Sequence, residues 1–107
     1  MSLDIDFYEL RKVSIFSVNI THNLNKMAEA AGIYKALWRP EEIGITKASQ
    51  LIEPLEEGLK KLRSNPELYV KLNPINGWGK YEDLVQFVAD VVKAAYEHPD
   101  AEVVADR

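Results

Sequence analysis

The segment KYEDLVQFVADVVKAAYE, residues 80–97, has the clearest helical pattern in the chain. Its apolar residues recur every three or four positions and therefore form one broad face of a helix. At about 1.5 Å per residue this helix measures roughly 27 Å, which is the width of a small domain. We expect the rest of the chain to pack around it. The apolar face consists of Tyr81, Leu84, Val85, Val88, Val91, Val92, Ala95 and Tyr96.

Two more helices are predicted before this one. Residues 46–63 repeat the three-and-four spacing of apolar side chains, and Pro54 inside them predicts a kink or two shorter helices, because proline lacks an amide donor. The sequence Asn65-Pro66-Glu67 has the cap, first-turn proline and acid that begin a short helix. We expect that helix to end near Leu72.

A further helix is predicted near the start of the chain. Thr21 is a suitable N-cap, and Gly32 stands where a left-handed C-cap residue belongs. The apolar residues between them share one face and are expected to point inward. They are Leu24, Met27, Ala28 and Ala31.

Two segments have the β-branched and apolar character of strands. We predict one strand from about Lys12 to Val18 and a second over Ala101–Ala105, and we expect the two to pair. Residues 1–6 are interpreted as a flexible polar start. The expected fold is a single α+β domain over residues 1–107, in which a two-stranded antiparallel ribbon formed by the chain ends packs on three to four helices.

The composition is that of a folded protein without a basic surface. Apolar residues make up 47% and charged residues 28% of the 107-residue chain, as in ordinary globular domains. A formal net charge of −4 does not attract a phosphate backbone, so we expect no nucleic-acid partner. Since no apolar run reaches the roughly 20 residues of a membrane helix and no leader opens the chain, we expect no membrane partner and a cytoplasmic location.

Metal and cofactor chemistry has little support in the sequence. The chain has no cysteine, and its two histidines, His22 and His98, lie far apart. Walker A and Gly-x-Gly-x-x-Gly motifs are absent. The serines stand in no nucleophile-elbow context. We therefore assign no catalytic residue, no metal ligand and no cofactor.

The segment NPINGWGKY, residues 73–81, is the first of two polar strings that could form a site. Asn76-Gly77 is a strong turn signal, because both residues tolerate a left-handed backbone. Trp78 and Tyr81 place two amphipathic rings beside the turn. The pattern is typical of a binding loop, and equally of a connector between helices whose tryptophan fills the core.

The second polar string is NITHNLN, residues 19–25. Asn19, His22 and Asn23 stand at a predicted helix start, where free backbone amides favour an anion or a carbonyl oxygen. One interpretation is a hydrogen-bonding pocket. The other is that Thr21 caps the helix, the asparagines satisfy the strand end, and His22 is partly exposed.

Four strings in the chain resemble a small uncharacterised family encoded in bacteriophages, prophages and bacterial mobile elements. They are NITHNL at residue 19, LWRPEE at residue 37, NPINGWGKY at residue 73 and HPDAEV at residue 98. The resemblance runs from about Lys12 to the C-terminus. It implies a mobile-element context and brings no catalytic residue, cofactor or substrate with it.

The sequence favours a non-enzymatic binding module for a small polar ligand or a host protein. We expect His22 and Trp78 to line one concavity although they are distant in sequence. Two alternatives remain open: a small enzyme with His22 as general base, and a homo-oligomer that self-associates through the ribbon edges. The predicted ligand-binding residues are Asn19, His22, Asn23, Asn76, Trp78 and Tyr81.

Overall fold

The computed structural model describes residues 2–9 and 14–107, and these form an α+β fold. Its antiparallel sheet has three strands, β1 (Ser2–Tyr8), β2 (Ser14–Thr21) and β3 (Glu102–Asp106), in the order β2-β1-β3. The α+β class is confirmed. The sheet has one strand more than the predicted ribbon, and the start of that ribbon at Lys12 and Val13 lies outside the described residues.

The additional strand, β1, occupies the centre of the sheet. It includes residues 2–6 of the segment that the sequence indicated as a flexible start and continues through Tyr8, and its buried Leu3, Ile5 and Phe7 alternate with half-buried residues. This alternation is the period-two pattern of a strand, but the intervening aspartates make the segment polar on average. The predicted partnership of 12–18 with 101–105 is wrong, because both β2 and β3 pair with β1.

Five α-helices form within the described ranges, where three or four were predicted. Short 3₁₀ turns at His22–Leu24 and Pro40–Ile43 accompany them. The additional helix lies around residue 36, where no helix was predicted. The helices are α1 (Asn25–Ala30), α2 (Tyr34–Trp38), α3 (Ser49–Ser64), α4 (Pro66–Val70) and α5 (Tyr81–Glu97).

The predicted caps at Thr21 and Gly32 are confirmed, with Thr21 capping the 3₁₀ turn that leads into α1. The Thr21 hydroxyl accepts a hydrogen bond from the Asn23 N–H at 3.3 Å. Gly32 is left-handed with φ of 78°, and the Ile33 N–H donates to the Ala28 carbonyl at 2.9 Å. This is a Schellman ending, and it turns the chain from α1 into α2.

Pro54 lies inside α3, which continues as one helix on both sides of it. Of the two predicted alternatives, a kink or two shorter helices, the second is therefore wrong. Proline at this position lacks the N–H that would donate to the Gln50 carbonyl, and its ring crowds that carbonyl. The bond is lost one turn into the helix, and buried leucines on both sides of the proline hold the helix to the core. They are Leu51, Leu55, Leu59 and Leu62.

The core lies between the sheet and the helices α3 and α5, which pack against each other. Trp38, 2% exposed, is the largest fully buried side chain. Arg107 donates to the Trp38 carbonyl at 2.7 Å and pairs with the Glu41 carboxylate. These bonds hold the segment after β3 beside Trp38. No described helix combines the length and apolarity needed to cross a bilayer.

Candidate functional site

The two polar strings of the sequence meet where the turn before α5 packs on the start of α1. Gly79 is left-handed with φ of 97°. A Cβ atom on Gly79 would lie 2.7 Å from Cγ2 of Thr21 and 3.1 Å from Cγ of Leu24. A glycine is needed at this contact both for its backbone angle and for its lack of a side chain. The two strings therefore meet as expected, and they do so where the Gly79 backbone lies close to Thr21 and Leu24.

Asparagine side chains hold the turn in shape. Asn76 Oδ1 accepts from the Trp78 N–H at 2.9 Å, and Asn73 Oδ1 accepts from the Tyr81 N–H at 2.8 Å. These are side-chain substitutes for backbone turn bonds. Asp83 adds a third such bond by accepting from the Lys80 N–H at 2.9 Å. The asparagine oxygens therefore have structural roles, while their amide groups stay available as donors.

An open groove of about 750 Å³ separates the start of α1 from the residues that follow α4. We call it the Asn-rich groove. Its volume falls within the range of small-ligand sites. No carboxylate lines it, although the chain as a whole has a net charge of −4. It is lined by His22, Asn23, Asn25, Lys26, Lys71, Leu72, Asn73, Pro74, Ile75 and Asn76.

His22 enters this groove with one ring nitrogen already in use. The buried Trp38 donates its indole N–H to His22 Nδ1 at 2.7 Å. An indole nitrogen can only donate, so Nδ1 carries no proton in this bond. The neutral ring must then hold its proton on Nε2, which makes His22 a hydrogen-bond donor on its other side.

The structure brings three of the six predicted ligand residues together. His22, Asn23 and Asn76 line the Asn-rich groove. Asn19 lines a different groove, between β2 and α5. Within the described chain, neither Trp78 nor Tyr81 is among the residues that line the Asn-rich groove.

The two predicted aromatic residues have different roles. Trp78 is 71% exposed on the turn and does not fill the core. Tyr81 is half-buried and donates its hydroxyl to the Leu62 carbonyl at 2.6 Å, which ties α5 to α3. The connector interpretation, in which the tryptophan fills the core, is therefore wrong, and Tyr81 is the ring of this segment that supports the fold.

Sequence reasoning missed several residues of the groove. Lys26 lies one helical turn after His22, so the spacing of four residues could have indicated it, whereas Asn25 already belonged to the polar string at residues 19–25. Lys71 carried no signal in the sequence, because its place beside α1 depends on how α4 packs. Ile75 belongs to the predicted turn, yet its side chain is fully exposed at the rim of the groove.

The shifted pKa values belong to surface pairs outside the Asn-rich groove. Hydrogen bonds with Tyr34 and then Glu42 raise the pKa of Arg39. The hydrogen bond from Arg107 lowers the pKa of Glu41. Glu56 accepts from the Tyr96 hydroxyl at 2.8 Å and raises the pKa of Tyr96.

Among residues 2–9 and 14–107, no group of three or more potential metal-ligating side chains forms a site. The donors of the groove are instead suited to an organic or inorganic anion, since ammonium, amide and imidazole N–H groups surround it.

No protein-family model, curated protein or solved structure matches this chain. Its function is therefore inferred from the geometry of the described residues.

Proposed function

We propose that this chain is a small non-enzymatic binding module and that its Asn-rich groove takes a small polar ligand with a negative charge. The single observation behind this proposal is the character of the lining. Lys26 and Lys71 supply two cations, asparagine amides supply neutral donors, and no acidic side chain opposes them. Carboxylate and phosphate groups are the natural complement of such a set.

The bond between Trp38 and His22 supports binding over catalysis. A general base must offer a free lone pair to the proton it removes. In His22 the lone pair of Nδ1 accepts from the indole at 2.7 Å, and Nε2 of the neutral ring carries the proton. His22 is thus equipped to orient a ligand oxygen by donation, and it lacks the free acceptor that the enzyme alternative requires.

The exposed apolar rim favours a host protein as the second candidate. Ile75 and Trp78 are both strongly exposed and lie on the same turn. Large exposed apolar side chains are typical of interfaces, and tryptophan is enriched among their anchor residues. The resemblance to proteins of bacteriophages and mobile elements suits such a partner, and we place the chain in that context as part of the proposal.

Native mass spectrometry of the freshly purified protein, followed by thermal unfolding with phosphate, succinate and acetate, tests the ligand. We expect a co-purified anion or a saturable rise in melting temperature with one of the three. The double substitution Lys26→Gln with Lys71→Gln should abolish the rise. Lys60→Gln removes a cation that does not line this groove and should leave the rise intact.

The proposal fails if the lysine pair has no effect on a saturable anion response. It fails equally if no anion is retained and none of the three raises the melting temperature. A host protein retained through Trp78, and lost in Trp78→Ala while anions have no effect, would establish the second candidate in its place.

A further inference from the structure

Strand β2 is an edge of the sheet that carries no charged residue or proline, and its register against β1 is regular from Phe16 to Thr21, with an irregularity at Ile15. Among the described residues β1 is its one partner strand. Every second residue of an edge strand directs its N–H and C=O groups away from the sheet. Natural edges are usually blocked by lysine, proline or other charged residues, but residues 14–21, SIFSVNIT, contain none of these.

A groove runs along this edge between β2 and α5. Residues 18–21 of β2 line one part of it together with Asp83, Gln86 and Asp90 of α5. Four consecutive strand residues cannot all face one side of a sheet, because successive side chains alternate. The groove therefore follows the edge of β2 and does not lie on one face of the sheet.

A second cavity continues the groove toward the other end of β2. Ile15 and Phe16 line it with Lys93, Glu97 and His98, and Asp90 is common to both cavities. We call the joined cavities the edge groove. Residues 15 and 16 of β2 lie opposite the end of α5, and residues 18–21 lie opposite its start. The strand and the helix therefore run in opposite directions along the edge groove.

The two walls have matching lengths. Residues 15–21 of a strand span roughly 20 Å at about 3.3 Å per residue. Residues 83–97 of a helix span about 21 Å at about 1.5 Å per residue. An extended segment of about six residues would therefore fill the edge groove from end to end.

The helix wall of the edge groove is acidic. Asp83, Asp90 and Glu97 stand at intervals of seven residues and line it, opposed by Lys93. One oxygen of Asp83 accepts from the Lys80 N–H, and Asp90 accepts from the Gln86 amide at 2.8 Å. Each of these two carboxylates keeps a second oxygen for an incoming cation.

We propose that the edge groove binds an extended, lysine- or arginine-bearing segment of a partner protein, which adds to β2 as a fourth strand. Main-chain hydrogen bonds to β2 would supply the affinity, as in other cases of strand addition. The carboxylates of α5 would select cationic side chains on the face turned toward the helix. The site is separate from the Asn-rich groove and does not depend on the function proposed for it.

A second copy of the chain fits the edge groove less well than a cationic segment. The β2 strand of a second copy carries no charged side chain. Pairing of two β2 edges would therefore leave the carboxylates of both α5 helices without cations. Each copy would also contribute the same acidic wall, and like charges brought together oppose association.

The test is an NMR titration of the ¹⁵N-labelled 107-residue chain with an acetylated, amidated octapeptide of alternating lysine and valine. We expect saturable shifts in the amides of residues 14–21 and 83–98. Methylation of alternate peptide nitrogens removes the strand hydrogen bonds and should weaken binding more than tenfold. An octapeptide of alternating glutamate and valine is the charge control and should not bind.

Substitutions on α5 test the charge selection. Asp90→Asn with Glu97→Gln keeps the size of both side chains and should weaken binding of the lysine peptide by about three- to tenfold. Glu82→Gln is the matched control, since Glu82 is on the same helix but does not line the edge groove. It should bind as the unsubstituted chain does.

The proposal is overturned if the lysine peptide causes no saturable shift at millimolar concentration, or if the shifts fall on the Asn-rich groove. Equal binding of the methylated or the glutamate peptide would also overturn it. Sedimentation equilibrium without peptide completes the test, because a dimer whose formation protects the β2 amides from hydrogen exchange would assign the edge to a second copy.

Discussion

Gly79 joins the two polar strings and tolerates no side chain there. Its φ of 97° and the 2.7 Å approach of a Cβ to Thr21 impose separate penalties on Gly79→Ala. We expect the free energy of unfolding to fall by about 2–4 kcal/mol, from backbone strain together with overpacking. Urea unfolding followed by tryptophan fluorescence measures this loss.

Gly77 is the matched control for that substitution. Its φ is 76°, but no atom lies within 4 Å of a Cβ built on it. Gly77→Ala should therefore cost only the left-handed backbone penalty of about 1–2 kcal/mol. Equal losses in the two variants would show that the contact with Thr21 has no energetic weight.

His22 contributes to stability through the buried indole of Trp38. His22→Ala leaves the indole N–H without its acceptor, which should lower the free energy of unfolding by about 1–3 kcal/mol. Asn23→Ala is the control, because Asn23 lines the same groove and makes no bond to the indole. We expect its effect to stay within about 0.5 kcal/mol. If His22→Ala is as mild as Asn23→Ala, the bond at 2.7 Å contributes nothing to the folded state.

At the scale of the elements, β1 and β3 meet with two carboxylates opposite each other. Asp4 is the register partner of Asp106. Like charges directly opposite on neighbouring strands are unfavourable. Asp106→Lys should therefore raise the free energy of unfolding by a few tenths of a kcal/mol, as measured by thermal unfolding at low salt.

Ionic strength provides the control for this charge effect. The gain from Asp106→Lys should shrink in high salt, because salt screens exposed charges. The same gain in Asp106→Val at all salt concentrations would assign it to strand propensity and contradict the electrostatic reason.

At the scale of the whole molecule, the two ends of the chain meet in the sheet. Removal of residues 1–6 would delete most of β1, including the buried Leu3 and Ile5, and separate β2 from β3. We expect the truncated chain to lose its cooperative unfolding transition, because losses of about 2–5 kcal/mol for each large core side chain exceed a marginal stability. Circular dichroism during heating measures this.

The opposite outcome of that truncation has a clear meaning. The sequence indicated a flexible start over residues 1–6, and an unchanged melting curve would restore that interpretation. Asp6→Asn in the 107-residue chain is the control, since it keeps the strand and alters only a half-buried polar position. It should unfold close to the parent.

Metal ions should not stabilise the molecule. The sequence has no cysteine, and the described residues hold no cluster of three potential ligands. Zinc, manganese or nickel in modest excess should leave the melting temperature unchanged, because only binding to the folded state raises it. A saturable rise of several degrees would contradict this prediction.

Much of the helical structure could be predicted from the sequence by itself. The apolar spacing of α5, the Thr21 cap and the left-handed Gly32 all depend on residues within a few positions of one another. Such patterns are decided by local sterics and by hydrogen bonds along one segment. The α+β class followed from the mixture of helical and strand-like segments.

The candidate site was predicted only in part, because local patterns reveal its segments but not how those segments meet. The turn at Asn76-Gly77 and the polar start of α1 were visible as strings. Their meeting through Gly79, the bond from Trp38 to His22, and the exposure of Trp78 join positions far apart in the chain. No local pattern could reveal which of the two tryptophans is buried.

The strand partners were decided by the tertiary structure alone. Residues near 12–18 and residues 2–8 both have the alternating pattern of a strand, so by pattern alone either could pair with the C-terminal segment. The folded chain uses β1 in the centre because this order pairs β1 on both edges and buries Leu3, Ile5 and Phe7 on one face. That gain belongs to the assembled sheet and its helices, since a strand buries a face only when another element covers it.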